Sequence, residues 1–220
     1  MPVHVSQVAA TPLPIVILLT STIYSYFWAS DSRSRLKLTR KTLARILTYH
    51  QVMPVYLDFL GVFGVQDRPR DLRFSGFREQ TLLGTPPRGP ILSDLGRSGR
   101  QFQLCYNLKA PFLKTLPNRV WSIRQAAIHH QFDVVHGTAL WVVTKGDRDL
   151  KERIEHMVGP QGRPEDRSFG TLVDCFKSSL AVHLLLANWS TEEWRWYIQS
   201  LEDMIDQSVS QHGRGWKLSY

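Results

Sequence analysis

The sequence has little cysteine and none of the common catalytic signatures. Only Cys105 and Cys175 occur among 220 residues, and they form no CxxC pair. A disulfide scaffold is therefore excluded, a structural zinc site would need other ligands, and two isolated cysteines fit a reducing compartment. No GxSxG, HExxH, P-loop or dinucleotide-binding glycine fingerprint occurs. We predict no enzyme, with no catalytic or cofactor-binding residues, although Cys105 acting with a histidine base stays an alternative.

Acidic residues are fewer than basic ones. The chain has 27 Lys+Arg against 19 Asp+Glu, a net charge of +8 and a sequence pI near 9.7. The basic residues form two sets, Arg33, Arg35, Lys37, Arg40, Lys41 and Arg45, and then Arg68, Arg70, Arg73, Arg78, Arg88, Arg97 and Arg100. Such a balance favours acidic partners such as anionic lipid or nucleic acid. No nucleic-acid-binding signature accompanies either set, so we predict no nucleic-acid partner.

The longest apolar run is "LPIVILLTSTIYSYFWA", residues 13–29. Its length is at the lower edge of what spans a bilayer as a helix, roughly 17 to 25 residues. A secretory signal would carry positive charge before the apolar run, and residues 1–12 contain no Lys or Arg. The basic residues that follow would keep the body of an inserted chain in the cytosol. The alternatives are a buried or disordered extension, a misassigned exon, or a strand over residues 20–28.

Apolar spacing predicts two helices between residues 38 and 63. Thr39 can cap the first helix, whose Leu43, Ile46 and Leu47 share one face. Pro54 interrupts the pattern, so a second short helix is predicted after it. Gly61 then ends that helix.

The segment from residue 64 to residue 100 is rich in Gly, Pro and Arg. It predicts a long loop over the core or a mobile insertion, with a short strand in "DLRFSGFRE", residues 71–79. Within it, "GRSGR", residues 96–100, is a candidate phosphate-binding loop. Because it lacks a following Lys-Ser/Thr and enters a strand, we predict a turn there.

Three strands are predicted after this segment. Gln101–Leu108 alternates as a half-buried strand. Its apolar face carries Phe102, Leu104, Tyr106 and Leu108, and its other face carries Gln101, Gln103, Cys105 and Asn107. A strand over Trp121–Val135, a turn at His136-Gly137 and a strand over Ala139–Lys145 make a hairpin.

His129 and His130 are adjacent in the sequence and are therefore candidate metal ligands. Successive side chains of a strand point to opposite faces, so the two rings diverge and cannot chelate one ion together. We predict two unrelated structural histidines. His136 is predicted to be solvated at the turn, and His183 to be a hydrogen-bonded core residue among leucines.

Three helices are predicted in the C-terminal part. The first begins at Asp149 and ends at Gly159. The second begins near Ser168 and is apolar almost all round toward its end, which predicts deep packing. The third restarts through a capping box of Ser190 and Glu193, or through Thr191. Its apolar face repeats at three- and four-residue intervals and carries Trp194, Tyr197, Ile198, Leu201 and Ile205.

Acidic residues flank the last predicted helix. Glu192, Glu193, Glu202 and Asp203 are candidates for weak binding of a divalent cation, because hard cations prefer several converging oxygen ligands. The alternative is that they form the solvated side of the helix. The metal-site residues therefore stay unknown at this point.

Several long motifs together resemble a fungal family of CorA-like transporter domains. The matching stretches are "YHQVMPVYLDFLGVFG" (49–64), "RFSGF" (73–77), "LGRSGRQFQLCYNL" (95–108), "WSIRQAAIHHQFDV" (121–134) and "SSLAVHLLLANWSTEEWRWYIQSLED" (178–203). The resemblance implies an α+β layered body with helices packed on a mainly antiparallel central sheet. It also implies the N-terminal cytosolic part of a protein that continues into a stalk helix and two membrane helices, related to the magnesium channel superfamily.

The chain departs from that plan after Ile205, where neither a stalk nor a Gly-Met-Asn pore signature follows. No pore residue is carried over, and the resemblance predicts a truncated relative or an incomplete gene model. The expected division is an N-terminal extension (1–37), a CorA-like cytosolic domain (38–208) and a tail (209–220).

The predicted function is that of a non-catalytic regulatory or assembly domain, cytoplasmic or membrane-associated with its main domain facing the cytosol. Its partners are proteins or further copies of itself, and it has no cofactor unless a divalent cation such as Mg²⁺ binds, as the resemblance alone suggests. The alternatives are a soluble interaction or scaffold module, and a protein tethered to the membrane by residues 13–29.

Overall fold

The computed structural model describes residues 15–19, 22–27, 34, 36, 38–64, 75–114 and 120–213. The helices are α1 (Arg40–Tyr49), α2 (Tyr56–Leu60), α3 (Arg148–Val158), α4 (Leu172–Thr191) and α5 (Trp194–Gly213). The strands are β1 (Ile15–Leu19), β2 (Thr22–Phe27), β3 (Phe77–Leu82), β4 (Ile91–Leu92), β5 (Arg97–Ser98), β6 (Gln101–Lys114), β7 (Val120–Asp133) and β8 (Ala139–Lys145). Arg33, Arg35, Lys37, Arg68, Arg70 and Arg73, which belong to the two basic sets, lie outside the described residues.

Six strands form a central sheet in the order β1-β2-β8-β7-β6-β3, and β4 pairs with β5 separately. Every pair in the central sheet is antiparallel except β2 with β8, which is parallel. The predicted α+β class with a mainly antiparallel central sheet is confirmed. The predicted hairpin of Trp121–Val135 and Ala139–Lys145 is also confirmed as β7 and β8.

The apolar N-terminal run contributes strands to this sheet. The β-branched and aromatic residues within 20–28 form β2, as the strand alternative predicted, and residues before them form β1, which was not predicted. The Tyr26 hydroxyl donates to the Lys145 carbonyl at 2.6 Å, which ties β2 to the end of β8. Residues 22–27 are thus part of the same sheet as the expected domain 38–208. No helix in the described part of the chain is both long enough and apolar enough to span a bilayer.

Helices cover both faces of the sheet. Tyr56 and Phe59 of α2 pack with Ala127 and Val142 on one face, beside α1. Helices α3 and α4 cover the other face, where their apolar residues surround Trp141. We call these the α1–α2 face and the α3–α4 face. The protein is therefore a three-layer structure, which agrees with the layered body that the resemblance implied.

The polarity of β6 differs from the prediction. The side predicted to be polar and outward is the more buried one: Gln101, Gln103, Cys105 and Asn107 are buried, whereas Phe102, Leu104, Tyr106 and Leu108 are partly buried. The reason is that helices cover both faces of β6. The alternating residues therefore point into two different buried layers, and neither side of the strand faces solvent. The strand also continues to Lys114, six residues beyond its predicted end at Leu108.

The segment 64–100 contributes strands as well as loops. β3 confirms the short strand predicted near residues 71–79, although it lies later, at Phe77–Leu82, and residues 71–74 are outside the described part. At "GRSGR" the chain turns at Gly96, which has φ +62° and where a Cβ would lie 2.7 Å from the Thr138 methyl. Arg97 and Ser98 form β5, so the predicted turn is confirmed only in part. The half-exposed His136 lies 3.1 Å from the Gly96 carbonyl.

Helix boundaries follow local capping where a side chain is available. The Thr39 hydroxyl accepts from Thr42 N at 3.1 Å, as predicted for α1. The prediction that Ser168 caps α4 is wrong, because Thr171 accepts from Asp174 N instead. The capping box is also wrong: Ser190 and Thr191 lie in the last turn of α4, and the break follows at Glu193, which has φ +65°.

Candidate functional site

Helix α4 has a buried side and an apolar exposed side. Its buried side carries Cys175, Ser178, Ser179, Val182, Leu186 and Trp189. Beside and beyond this buried side, apolar residues recur every four positions and are exposed, namely Leu172, Phe176, Leu180 and Leu184, which we call the α4 stripe. The predicted deep packing of this helix is therefore wrong. The helix is apolar all round, but along the α4 stripe the Phe176 ring contacts Phe132 at 5.6 Å while the leucine side chains stay exposed.

Helix α5 carries a second uncovered apolar side. Trp194 and Tyr197 lie in its first turn, where the Tyr197 ring is 5.6 Å from Trp121. Beyond them the predicted apolar face continues without cover. Ile198, Leu201, Met204, Ile205 and Val209, which we call the α5 stripe, are between 40 % and 66 % exposed. A row of large apolar side chains at helical spacing is typical of a docking surface.

The acidic candidates do not converge. Glu192 accepts two hydrogen bonds from the Arg153 guanidinium at 2.6 Å each, and these bonds lower its pKa. Asp203 accepts from Gln199 on the same exposed helix. Across the described ranges, no group of three or more His, Cys, Asp or Glu is placed to hold a metal ion. The candidate set Glu192, Glu193, Glu202 and Asp203 is thus not brought together.

His129 and His130 diverge, as predicted. His129 Nε2 lies 3.0 Å from Gln103 Oε1, on the α1–α2 face of the sheet. Its ring also meets Tyr56 edge-on at 5.7 Å. His130 lies on the α3–α4 face and stacks on Trp141, with ring centroids 3.9 Å apart. Each histidine is fully enclosed by its own layer, so no ion is shared between them.

A chain of hydrogen bonds that sequence reasoning missed runs from Tyr106 within β6 into the α3–α4 layer. The Tyr106 hydroxyl is 2.7 Å from His183 Nδ1, and His183 Nε2 is 3.0 Å from His130 Nδ1. The predicted hydrogen-bonded core role of His183 is confirmed, but its partners depend on strand register and on the placement of α4. Tyr106 and His183 also line an open cavity of about 610 Å³.

Burial keeps these imidazoles neutral. It lowers the pKa of His183 to about 4 and holds the pKa of His130 well below its usual range, with the neighbouring His183 adding to the effect. Burial, with the positive charge of Arg97, lowers the pKa of His129 to about 3. Neutral imidazoles in fixed hydrogen bonds suit a structural role at neutral pH.

Cys105 is placed poorly for nucleophilic chemistry. Its side chain is fully buried, with Sγ 3.6 Å from Met53 Sδ. Burial raises the pKa of the thiol to about 12. Because the thiolate is the reactive form, the alternative of a Cys105–histidine pair has no support in this geometry.

The fold and these sites define a layered α+β domain with two uncovered helical stripes and histidines held in hydrogen bonds. A family model described as CorA-like transporters matches residues 20–212, so the chain belongs to the CorA-like transporter family. The match begins before the predicted residue 38 and takes in β2, in keeping with the place of that strand in the sheet. Comparison with curated proteins gives no match, and comparison with solved structures gives none.

Proposed function

We propose that the protein is a non-catalytic assembly domain of a CorA-like membrane protein, and that copies of the chain join through the α5 stripe. The observation that carries this proposal is the row of five apolar side chains, Ile198, Leu201, Met204, Ile205 and Val209, exposed along one side of a 20-residue helix. The α4 stripe supplies further apolar surface on the preceding helix.

Burial energy supports a packing role for these residues. Fully burying a large apolar side chain contributes about 1.5–3 kcal/mol, so five of them could offset the entropy cost of association. In the α5 stripe, Ile198, Leu201, Ile205 and Val209 are spaced by three, four and four residues, which places them along one side of the helix, where a second helix can interlock its side chains with them. The occupant we favour is a second copy, because the same stripe on each chain presents a matching apolar row.

A cytosolic location is part of the same proposal. Cys105 and Cys175 are both buried and neither forms a disulfide, which suits a reducing compartment. The role assigned here is packing and, through packing, regulation of assembly. We assign no ion to the chain.

Sedimentation equilibrium tests the proposal. The wild-type chain is expected to associate in the micromolar range, whereas Leu201→Lys with Ile205→Lys is expected to stay monomeric. Both positions are exposed, so neither substitution should unfold the domain. Gln207→Lys with Ser210→Lys, two exposed positions on the other side of the same helix, adds the same two positive charges and is the charge-matched control, which should associate like wild type.

A wild-type chain that stays monomeric up to the highest soluble concentration would overturn self-assembly. If that chain also bound another protein through the stripe, the interaction-module alternative would replace it. Equal association of the stripe variant and of the control with Gln207→Lys and Ser210→Lys would instead show that the α5 stripe does not mediate association.

A further inference from the structure

The Tyr106–His183–His130 chain of hydrogen bonds has a direction, which its buried end sets. A neutral imidazole carries one N–H and one lone pair, so the tautomer of one ring fixes the tautomer of the next. His130 is buried, and among the described residues its Nε2 has no hydrogen-bond partner. A buried N–H without an acceptor is less readily tolerated than an unpaired acceptor. The proton of His130 is therefore on Nδ1.

The other protons of the chain follow from this tautomer. His130 Nδ1 donates to His183 Nε2 across 3.0 Å, which places the proton of His183 on Nδ1. His183 Nδ1 then donates to the Tyr106 oxygen across 2.7 Å. Burial raises the pKa of the Tyr106 hydroxyl, which therefore keeps its own proton at neutral pH. Within the described part of the chain, Tyr106 Oη has no second hydrogen-bond partner, so its O–H is left to donate into the cavity that it lines.

The open cavity of about 610 Å³ lies at this outer end of the chain. Tyr106 and His183, which form the 2.7 Å hydrogen bond, both line it. Its apolar lining comes from Phe77 of β3, Leu108 of β6 and Ala187 of α4. The Phe77 ring also stacks on the Tyr106 ring, with centroids 6.5 Å apart. The cavity thus combines an apolar wall with one hydroxyl donor, as small-molecule sites do.

The cavity wall is held by direct contacts and carries no charge. Gly76 N donates to Asn107 Oδ1 at 2.8 Å, and the Gly76 carbonyl accepts from Asn107 N at 3.3 Å, so the residue before β3 is fixed to β6. Both residues line the cavity. None of the described lining residues is charged at neutral pH, because burial lowers the pKa of His183 to about 4. A charged ligand would lose hydration here without gaining an ion pair, so the cavity favours an uncharged one.

We propose that this cavity binds an uncharged aromatic ketone, whose carbonyl oxygen accepts a hydrogen bond from the Tyr106 hydroxyl. Phe77, Leu108 and Ala187 contact the aromatic body. The two histidines hold the hydroxyl in its donating orientation. A carbonyl is favoured over a donor group such as an amine, because the Tyr106 oxygen already accepts from His183. The cavity contains no residue of the α5 stripe, so this proposal does not depend on assembly through that stripe.

NMR titration of the full chain with two molecules of the same shape tests the hydrogen bond. The ketone β-acetonaphthone and the alkene β-isopropenylnaphthalene differ only in that the alkene has a CH₂ group in place of the carbonyl oxygen. Wild type is expected to bind the ketone about fivefold more tightly, the order expected for one neutral hydrogen bond. Both molecules should shift the amide signals of Phe77, Leu108 and Ala187.

Tyr106→Phe separates a ligand role from a structural one. It removes the hydroxyl and keeps the ring, so it should bind the ketone and the alkene equally, with the affinity for the alkene as in wild type. Tyr49→Phe is the matched control, because Tyr49 is an exposed tyrosine outside the lining, and it should keep the preference for the ketone. If Tyr106→Phe weakened both molecules alike and kept the preference, the assigned hydrogen bond would be wrong and the proposal overturned.

Ala187→Phe tests the cavity without changing the hydrogen bond. Ala187 is exposed on α4 and lines the cavity, so a phenyl ring there should occupy the apolar part and abolish binding of both molecules at an unchanged Tm. Leu180→Phe, an exposed position of α4 outside the lining, is the control and should bind both molecules like wild type. Retained binding in Ala187→Phe would exclude the cavity as the site.

Three results with wild type would also overturn the proposal. The first is that neither molecule binds up to its solubility limit. The second is that the ketone and the alkene bind equally, which would contradict the donating hydroxyl. The third is that only amide signals of α5 shift, which would mean that the molecules adhere to the α5 stripe and not to the cavity.

Discussion

The two faces of the central sheet are both buried, but they are built from different chemistry. On the α3–α4 face, Ile128, Trp141 and Val143 join an apolar core. On the α1–α2 face, polar side chains are interleaved with apolar ones, and Gln103 and His129 are buried there. The first face is stabilised mainly by apolar burial, and the second depends on completing its hydrogen bonds.

The polar side chains of the α1–α2 face hold the α1–α2 connection on the sheet. Gln103 Oε1 accepts from Met53 N at 3.1 Å and lies 3.0 Å from His129 Nε2. The Tyr56 hydroxyl lies 2.9 Å from Thr144 Oγ1 and 3.1 Å from the Ala127 carbonyl. These hydrogen bonds fix the position of α1 and α2 on the sheet. Apolar contacts alone would not fix it.

The largest effect is expected on the apolar face. Trp141→Ala removes a fully buried indole that stacks on His130. It should reduce the free energy of unfolding by about 3–5 kcal/mol, measured by urea denaturation. A loss below about 1 kcal/mol would mean that this face is not the main apolar core.

A smaller loss is expected on the polar face. Gln103→Leu conserves bulk but leaves Met53 N–H and His129 without their acceptor, so unfolding free energy should fall by about 2–3 kcal/mol. Gln80→Leu makes the same change at an exposed position of β3 and should stay within about 0.5 kcal/mol of wild type. If the two variants are equally stable, the hydrogen bonds of Gln103 do not stabilise this face.

Acid should weaken the same face. The pKa of His129 is lowered to about 3, against an unfolded value near 6.5, so the unfolded chain binds more protons between these values. The contribution of His129 to stability is then complete above about pH 6.5 and is lost as the pH falls toward 3, by on the order of 2 kcal/mol down to pH 4.5. Burial also lowers the pKa of His130 and His183, so these two histidines add to the same pH dependence. In urea denaturation at a series of pH values, His129→Gln should reduce the change of unfolding free energy with pH. An unchanged pH dependence would mean that His129 does not contribute to it.

The smallest effect is expected at the surface. Arg153 and Glu192 join α3 to the end of α4, but their side chains are 34 % and 45 % exposed. Glu192→Gln should cost about 0.5 kcal/mol and less at high salt. If Glu192→Gln reduced the free energy of unfolding as much as Gln103→Leu does, buried polar contacts would not stabilise this protein more than exposed ones, contrary to this prediction.

The elements of this fold could be predicted where the signal is local. The Thr39 cap, the break at Pro54 and the β7–β8 hairpin follow from neighbouring residues, and the divergence of His129 and His130 follows from strand geometry alone. Local signals failed where similar residues compete, since Ser168 and Thr171 are both suitable caps and only Thr171 is used.

Features that depend on distant packing were not predictable. Alternation in β6 separates two faces but does not say that helices cover both, so the buried side was assigned wrongly. The Tyr106–His183–His130 chain needs the register of β6 with β7 and the position of α4. For α4, an apolar surface all round indicates either deep burial or an uncovered side, and the sequence does not distinguish them.

Oxidative cross-linking tests the assembly role of the α5 stripe most directly. The native thiols Cys105 and Cys175 are buried, so a cysteine introduced on α5 reports on its own contacts. Ile205→Cys should form a disulfide between copies rapidly, whereas Gln207→Cys, about 200° further round the helix, should not. Equal rates for the two variants, or no cross-link at Ile205→Cys at concentrations where the chain associates, would contradict assembly through this stripe.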